Sequence, residues 1–198
     1  MAVIVLSDVV PRSESRNWQI VRECSLVIGF ALLTAALAQV RIPLGFTPVP
    51  VTGQTLAVLL AGATLGAWRG AGSQLLYWLL GMVGLPFYSN GTGGWSVATG
   101  PTMGYLVGFV IAAAVVGRLA EYRQDRRTLT SVAAMTLGSV IIYVCGATWL
   151  AIDLDIPLAT GEQNAIALGV TPFLVGDVIK MCLAGLATAS TWRFVNRE

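Results

Sequence analysis

Two ionisable side chains stand where the chain otherwise avoids charge. Residues 163–192 carry Asp177 and Lys180, in Gly176-Asp177-Val-Ile-Lys180, and no other Asp, Glu, Lys or Arg. Three apart on a helix, they share a face with Cβ atoms about 5–6 Å apart. Charge placed in hydrocarbon must be neutralised or put to use. The pair is therefore either a self-neutralising ion pair that orders the bundle, or part of a pocket where carboxylate and ammonium meet polar ligand groups. Lys180 is the chain's single lysine, and it lies within an apolar run, so a solvated surface does not explain it. Other material for a pocket lies in two turn-rich segments. One holds Pro43, Pro48 and Pro50 and ends in Thr52 and Gln54; the other holds Phe87, Tyr88, Asn90 and Trp95 among glycines, with Tyr105 soon after. These supply amide donors and acceptors, aromatic walls and a backbone that a ligand can approach closely.

Several chemistries are excluded. The chain has no histidine, which removes Ser-His-Asp triads, Cys-His pairs and His-ligated metal. Cys24, Cys145 and Cys182 are scattered through apolar runs without a metal-ligand spacing, and read as small membrane hydrophobes. No catalytic residue, metal or cofactor is assigned. A Walker A loop needs Gly-Lys-Ser/Thr, whereas the lone lysine follows Ile179. Transport driven by ATP would need its motor on another polypeptide.

The elements that must position these residues are membrane spans. Of 198 residues, 56% are hydrophobic and 11% charged, against about 25% charged in an average soluble domain. Residues 24–40, 42–68, 70–117 and 128–152 contain no charge at all. The expected fold is an all-α integral membrane protein, a single domain over 23–198 behind a cytoplasmic segment 1–22. A helix needs about 20 apolar residues to cross about 30 Å of hydrocarbon. Six transmembrane helices are predicted, near 24–40, 54–68, 71–85, 102–117, 129–150 and 172–192. Thr171 and Pro172 read as the N-cap and first turn of the last.

Alternating the connections collects Arg12, Arg16, Arg22, Arg69, Arg118, Arg123, Arg126, Arg127, Arg193 and Arg197 on one side, ten of the twelve basic residues. The other side receives Arg41 alone. The positive-inside rule then puts both termini in the cytoplasm and turns loops 41–53, 86–101 and 151–171 outward. A net charge of +2, without a basic stripe, gives no case for nucleic acid. Small residues recur four apart at Ala31/Ala35, Gly62/Gly66 and Gly104/Gly108, a spacing that lets helices approach closely in lipid.

In order along the chain, Pro48-Val-Pro-Val-Thr-Gly-Gln-Thr-Leu-Ala-Val-Leu-Leu-Ala-Gly62, Gly84-Leu-Pro-Phe87, Gly93-Gly94, Gly100-Pro-Thr-Met-Gly-Tyr105 and Gly176-Asp-Val-Ile-Lys180 resemble the BioY family. BioY proteins are the biotin-binding S components of energy-coupling-factor transporters. The resemblance runs from about residue 24 to 192. It implies an S-component-like bundle in the plasma membrane that captures biotin from outside. It also implies a transmembrane coupling subunit and a pair of ABC-type ATPases as partners in trans. It assigns vitamin binding to Asp177 and Lys180 and implicates Asn90. Gln54, Tyr88, Trp95 and Tyr105 are candidate lining residues. It matches Ala31 and Ala35 to an Ala-xxx-Ala pair that contacts the coupling subunit.

Three other readings compete. An S component for a different vitamin would share the fold. An intramembrane hydrolase using Lys180 as base would need a serine on a facing span at similar depth. A channel gated at Asp177 would need rings of charge, which the chain does not carry.

Overall fold

A computed structural model describes residues 5–9, 15–161 and 163–195. Arg12 and Arg197, counted above for orientation, lie outside the described residues. Among the described residues the chain is mainly helical: α1 (Arg16–Gln39), α2 (Gln54–Leu65), α3 (Ala67–Met82), α4 (Trp95–Ala98), α5 (Met103–Glu121), α6 (Thr128–Asp153), α7 (Ala165–Gly169) and α8 (Leu174–Val195). Two short antiparallel strands, β1 (Arg41–Ile42) and β2 (Val51–Thr52), close the loop after α1 with Arg41 opposite Thr52.

Four stretches are long and apolar enough to cross a membrane: Arg16–Gln39, Met103–Glu121, Thr128–Asp153 and Ala165–Val195. The second and third expected spans are shorter. Helices α2 and α3 have 12 and 16 residues, about 18 and 24 Å at 1.5 Å per residue. They divide at Gly66, not around Arg69. Gly66 has φ +84°, a conformation that L side chains rarely adopt. Its N–H bonds back to the Gly62 carbonyl at 2.9 Å, and the Glu121 carboxylate accepts the Ala67 N–H at 2.9 Å, satisfying the start of α3.

Helix α5 is the centre of the bundle. Of its apolar window 56% is buried, against 17% for the windows of α1 and of the last stretch. Two glycines set its approach to α6. A Cβ on Gly104 would lie 2.3 Å from the Trp149 Cβ, and one on Gly108 would lie 2.9 Å from the Ile142 Cα. Polar pairs tie the outer helices in: Thr34 to Gln74 at 3.2 Å joins α1 to α3, and Ser131 with Thr188 at 2.7 Å joins α6 to α8. The outward faces are apolar, with Trp68, Val144, Val175, Leu183 and Phe194 exposed. That is a surface built for lipid.

Three expectations change. Ala31 is fully buried and Ala35 is 8% exposed, both in the internal core. Their small side chains let α1 settle on α3, as the Thr34–Gln74 bond between them shows. They cannot meet a partner in this arrangement; the outward side of α1 carries Gly29, Leu32, Leu33 and Ala36 instead. The last helix starts at Leu174, after a tight turn at Thr171–Phe173. Thr171 does not cap it, because its hydroxyl donates backward to the Ile166 carbonyl at 3.2 Å. Finally, α1 begins at Arg16, within the segment expected to precede the bundle.

Charge divides between the two ends. At the end holding the start of α1, the α2–α3 corner and the end of α5, Arg69 pairs with Glu23 at 2.6 Å and Asp8 at 3.4 Å. It also donates to the Ser7 hydroxyl at 2.7 Å. The described chain both starts and finishes at this end. The opposite end holds β1, β2 and the loop after α3.

Candidate functional site

The site is built from the first turn of α8. Asp177 lies there, where the helix dipole favours a carboxylate. It is 3% exposed, and three donors hold it. Lys180 Nζ reaches Oδ1 at 2.7 Å, Thr55 Oγ1 donates to Oδ1 at 3.1 Å, and the Tyr143 hydroxyl donates to Oδ2 at 2.5 Å. Lys180 spends a second N–H on the Thr52 carbonyl at 2.6 Å. Neither of these bonds goes to a serine, the partner that a Ser–Lys hydrolase would need.

The ion pair forms, as one of the two expected readings requires, but it is not sealed off. It lines a cavity of about 520 Å3 between the helix ends and the loops above them, within the roughly 300–1,000 Å3 usual for small-molecule sites. Asn90, Gln54, Tyr88 and Tyr105 line the same cavity. Trp95 does not: it opens the one-turn helix α4 and is 68% exposed, while its neighbours Ser96 and Val97 face the cavity. The aromatic walls come instead from Tyr88, Tyr105, Phe109, Tyr143 and Phe173.

Most polar tips among the lining residues bond to the protein and leave ring faces to the cavity. Tyr105 donates to the Gly169 carbonyl at 2.7 Å, and Tyr88 to the Trp78 carbonyl at 2.6 Å. Burial pushes the Tyr88 phenol up to about 12, so it stays a donor throughout the physiological range. Gln54 donates to the Tyr77 hydroxyl at 2.6 Å and accepts from Thr52 at 2.7 Å, which fixes the start of α2 against the strand pair. Asn90 sits at φ 67° on an exposed turn. Gln39 holds that turn down, accepting from Gly91 N–H at 2.9 Å and donating to the Tyr88 carbonyl at 3.1 Å.

Sequence reasoning missed Tyr143, Thr55, Phe109 and Phe173 as site residues. Tyr143 had a usable signal, a lone phenol in an uncharged span. The two phenylalanines had none that separates a cavity wall from ordinary core.

Counting bonds shows what the pair has left to offer. An ionised carboxylate has about four acceptor sites and an ammonium three donors. Three of the former and two of the latter are used. Among the described residues one acceptor of Asp177 and one donor of Lys180 therefore remain, a match for a neutral group carrying both N–H and C=O.

A lipid-faced helical bundle with a polar pair inside an aromatic-walled cavity defines a class, the membrane proteins that enclose a small solute. The BioY family model matches residues 11–197, and the chain belongs to the BioY family. A protein of Rhodobacter capsulatus named biotin transporter BioY is 41% identical, covering 83% of this chain and 90% of its own. A protein of the same name from Rhizobium etli is 39% identical, with 83% and 90% covered. A probable biotin transporter BioY of Pyrococcus horikoshii is 39% identical, with 82% and 91% covered. Among solved structures, the S-component for biotin from an ECF-type ABC transporter superposes with a TM-score of 0.80 at 25% identity, covering 91% of this chain and 95% of that one.

Proposed function

We propose that this chain is the substrate-specific S component of a biotin transporter. It would bind biotin from the outer face in the Asp177–Lys180 cavity and deliver it inward with a coupling subunit and ABC-type ATPases supplied in trans. The single observation that carries the ligand is the bond count at the pair. Biotin's ureido ring presents N–H and C=O groups side by side, matching the remaining acceptor of Asp177 and donor of Lys180. Its bicyclic thioether body suits the walls of Tyr105, Phe109 and Phe173. The relatives named biotin transporters and the biotin S-component of the same fold support this reading.

On this reading the chain crosses the plasma membrane six times, with α2 and α3 as the short crossings and both termini in the cytoplasm. The basic end, with Arg16, Arg22, Arg69, Arg118, Arg123, Arg126, Arg127 and Arg193, faces inward. The cavity opens outward. Titration calorimetry of the purified chain with biotin and a panel of other vitamins tests the assignment. Biotin is expected to bind and the others not to. Binding of a different vitamin in preference would move the chain to another S-component specificity. Turnover of a substrate by the isolated chain would favour the hydrolase reading.

A further inference from the structure

We infer that Arg41 anchors the acidic end of the ligand, so that the cavity prefers a free carboxylic acid to its neutral amide. The inference rests on the biotin reading and goes beyond it by assigning the second end of the molecule. Among the described residues, three charged ones line the cavity: Arg41, Asp177 and Lys180. The last two neutralise each other at 2.7 Å, and Lys180 is further committed to the Thr52 carbonyl. A ligand carboxylate directed at Lys180 would have to compete with Asp177 for it. Arg41 has no such commitment, for among the described residues no carboxylate or carbonyl accepts from its guanidinium. Among the described residues the cavity lining therefore carries one uncompensated positive charge.

Position supports the same division of labour. Asp177 is buried and Arg41 is exposed. A neutral ring at the dry pair and a carboxylate at the wet rim keeps the larger desolvation cost away from the ionised group. Residues 177 and 180 occupy adjacent turns, so neither readily reaches the far end of an extended ligand. Arg41 comes from a different element. It pairs across the strands with Thr52, the residue whose carbonyl holds Lys180. It thus stands one strand spacing, about 4.7–4.9 Å, from the backbone that touches the pair, with a long side chain to reach over the mouth. A guanidinium also matches a carboxylate with two parallel N–H bonds.

The test titrates biotin and biotin amide separately into the wild-type chain, Arg41→Met, Arg41→Lys and Lys180→Met. Arg41→Met is expected to weaken biotin by about fivefold, the upper range for an exposed pair, and to leave the amide within about twofold. Arg41→Lys should restore part of the loss. The wild-type preference for the acid should shrink as salt rises, as an exposed charge contact must, and should be absent in Arg41→Met. Equal losses for acid and amide, or no loss for either, would overturn the role of Arg41. If Lys180→Met still abolishes binding in that case, the biotin reading stands without it. A wild-type chain that binds neither compound would overturn both.

Discussion

At the residue scale, Asp177 is held by Tyr143 and Thr55 as well as by Lys180. A hydrogen bond to a charged group contributes about 1.5–3 kcal/mol. Tyr143→Phe keeps the ring and removes the hydroxyl, so it should lower the thermal unfolding midpoint in detergent and weaken biotin about three- to tenfold. An unchanged affinity would reduce Tyr143 to a wall of the cavity. The pair itself was legible in the sequence because charge in an uncharged span has few explanations. Its partners were not, because a hydroxyl in a span is as easily satisfied by its own helix as by a neighbour. Thr136 shows that alternative, donating to the Val132 carbonyl four residues back at 2.9 Å. Trp95 failed for a related reason. A loop aromatic can cover a ligand or face outward, and its place in α4 decided this one.

At the scale of elements, the α2–α3 corner is the most demanding backbone site. Gly66 is at φ +84°, and a Cβ there would lie 2.9 Å from the Glu121 carboxylate that caps α3. Gly66→Ala should cost about 1–3 kcal/mol, read as a lower unfolding midpoint without loss of biotin affinity in the folded fraction. The loop between α5 and α6 makes a second test. Asp125 is 2% exposed and accepts the Trp192 indole N–H, which pins the loop to the end of α8. Burial pushes its carboxyl above the ordinary range, against the opposing pull of that hydrogen bond and of Arg126. A raised folded-state value means that the folded chain binds this proton more tightly than the unfolded one. The site therefore gains stability as pH falls through that raised value and loses it as pH rises. Asp125→Asn keeps an acceptor for Trp192 without the charge. It should be more stable than wild type near pH 7, with the difference narrowing toward about pH 4. A constant difference across that range would remove ionisation from the explanation. The long helices were legible from the uncharged runs, whereas the short α4 and α7 lie in segments expected as loops. The boundary at Gly66 was not, since hydropathy does not register a change in φ.

At the scale of the molecule, two surfaces of α1 now have different meanings. Its inward face carries Ala31 and Ala35 against α3, so Ala31→Trp should disrupt the bundle and abolish biotin binding together with folding. Ala36 lies on the exposed side. On the proposed reading, Ala36→Trp should leave biotin affinity intact in the isolated chain. A loss of ATP-dependent uptake by that variant, in cells supplying the coupling module, would place a partner on this face; normal uptake would exclude it. The spacing of Ala31 and Ala35 correctly signalled close helix packing. It could not say whether the neighbouring helix belongs to the same chain, because small residues favour close approach in either case. The asymmetry of charge was legible, since ten of twelve basic residues fall on one side of any reasonable set of span boundaries, and the eight of those ten that the structure describes gather at one end.

The account turns on a buried acceptor, Asp177, and a half-buried donor, Lys180, that stay partly unused until a ureido group arrives. Biotin affinity by titration calorimetry, wild type against Lys180→Met at matched thermal stability, tests it most directly. The expected result is a loss of at least tenfold, about 1.4 kcal/mol. Equal affinity in the two proteins would mean that the pair only holds the helices together, and that biotin, if bound, sits elsewhere.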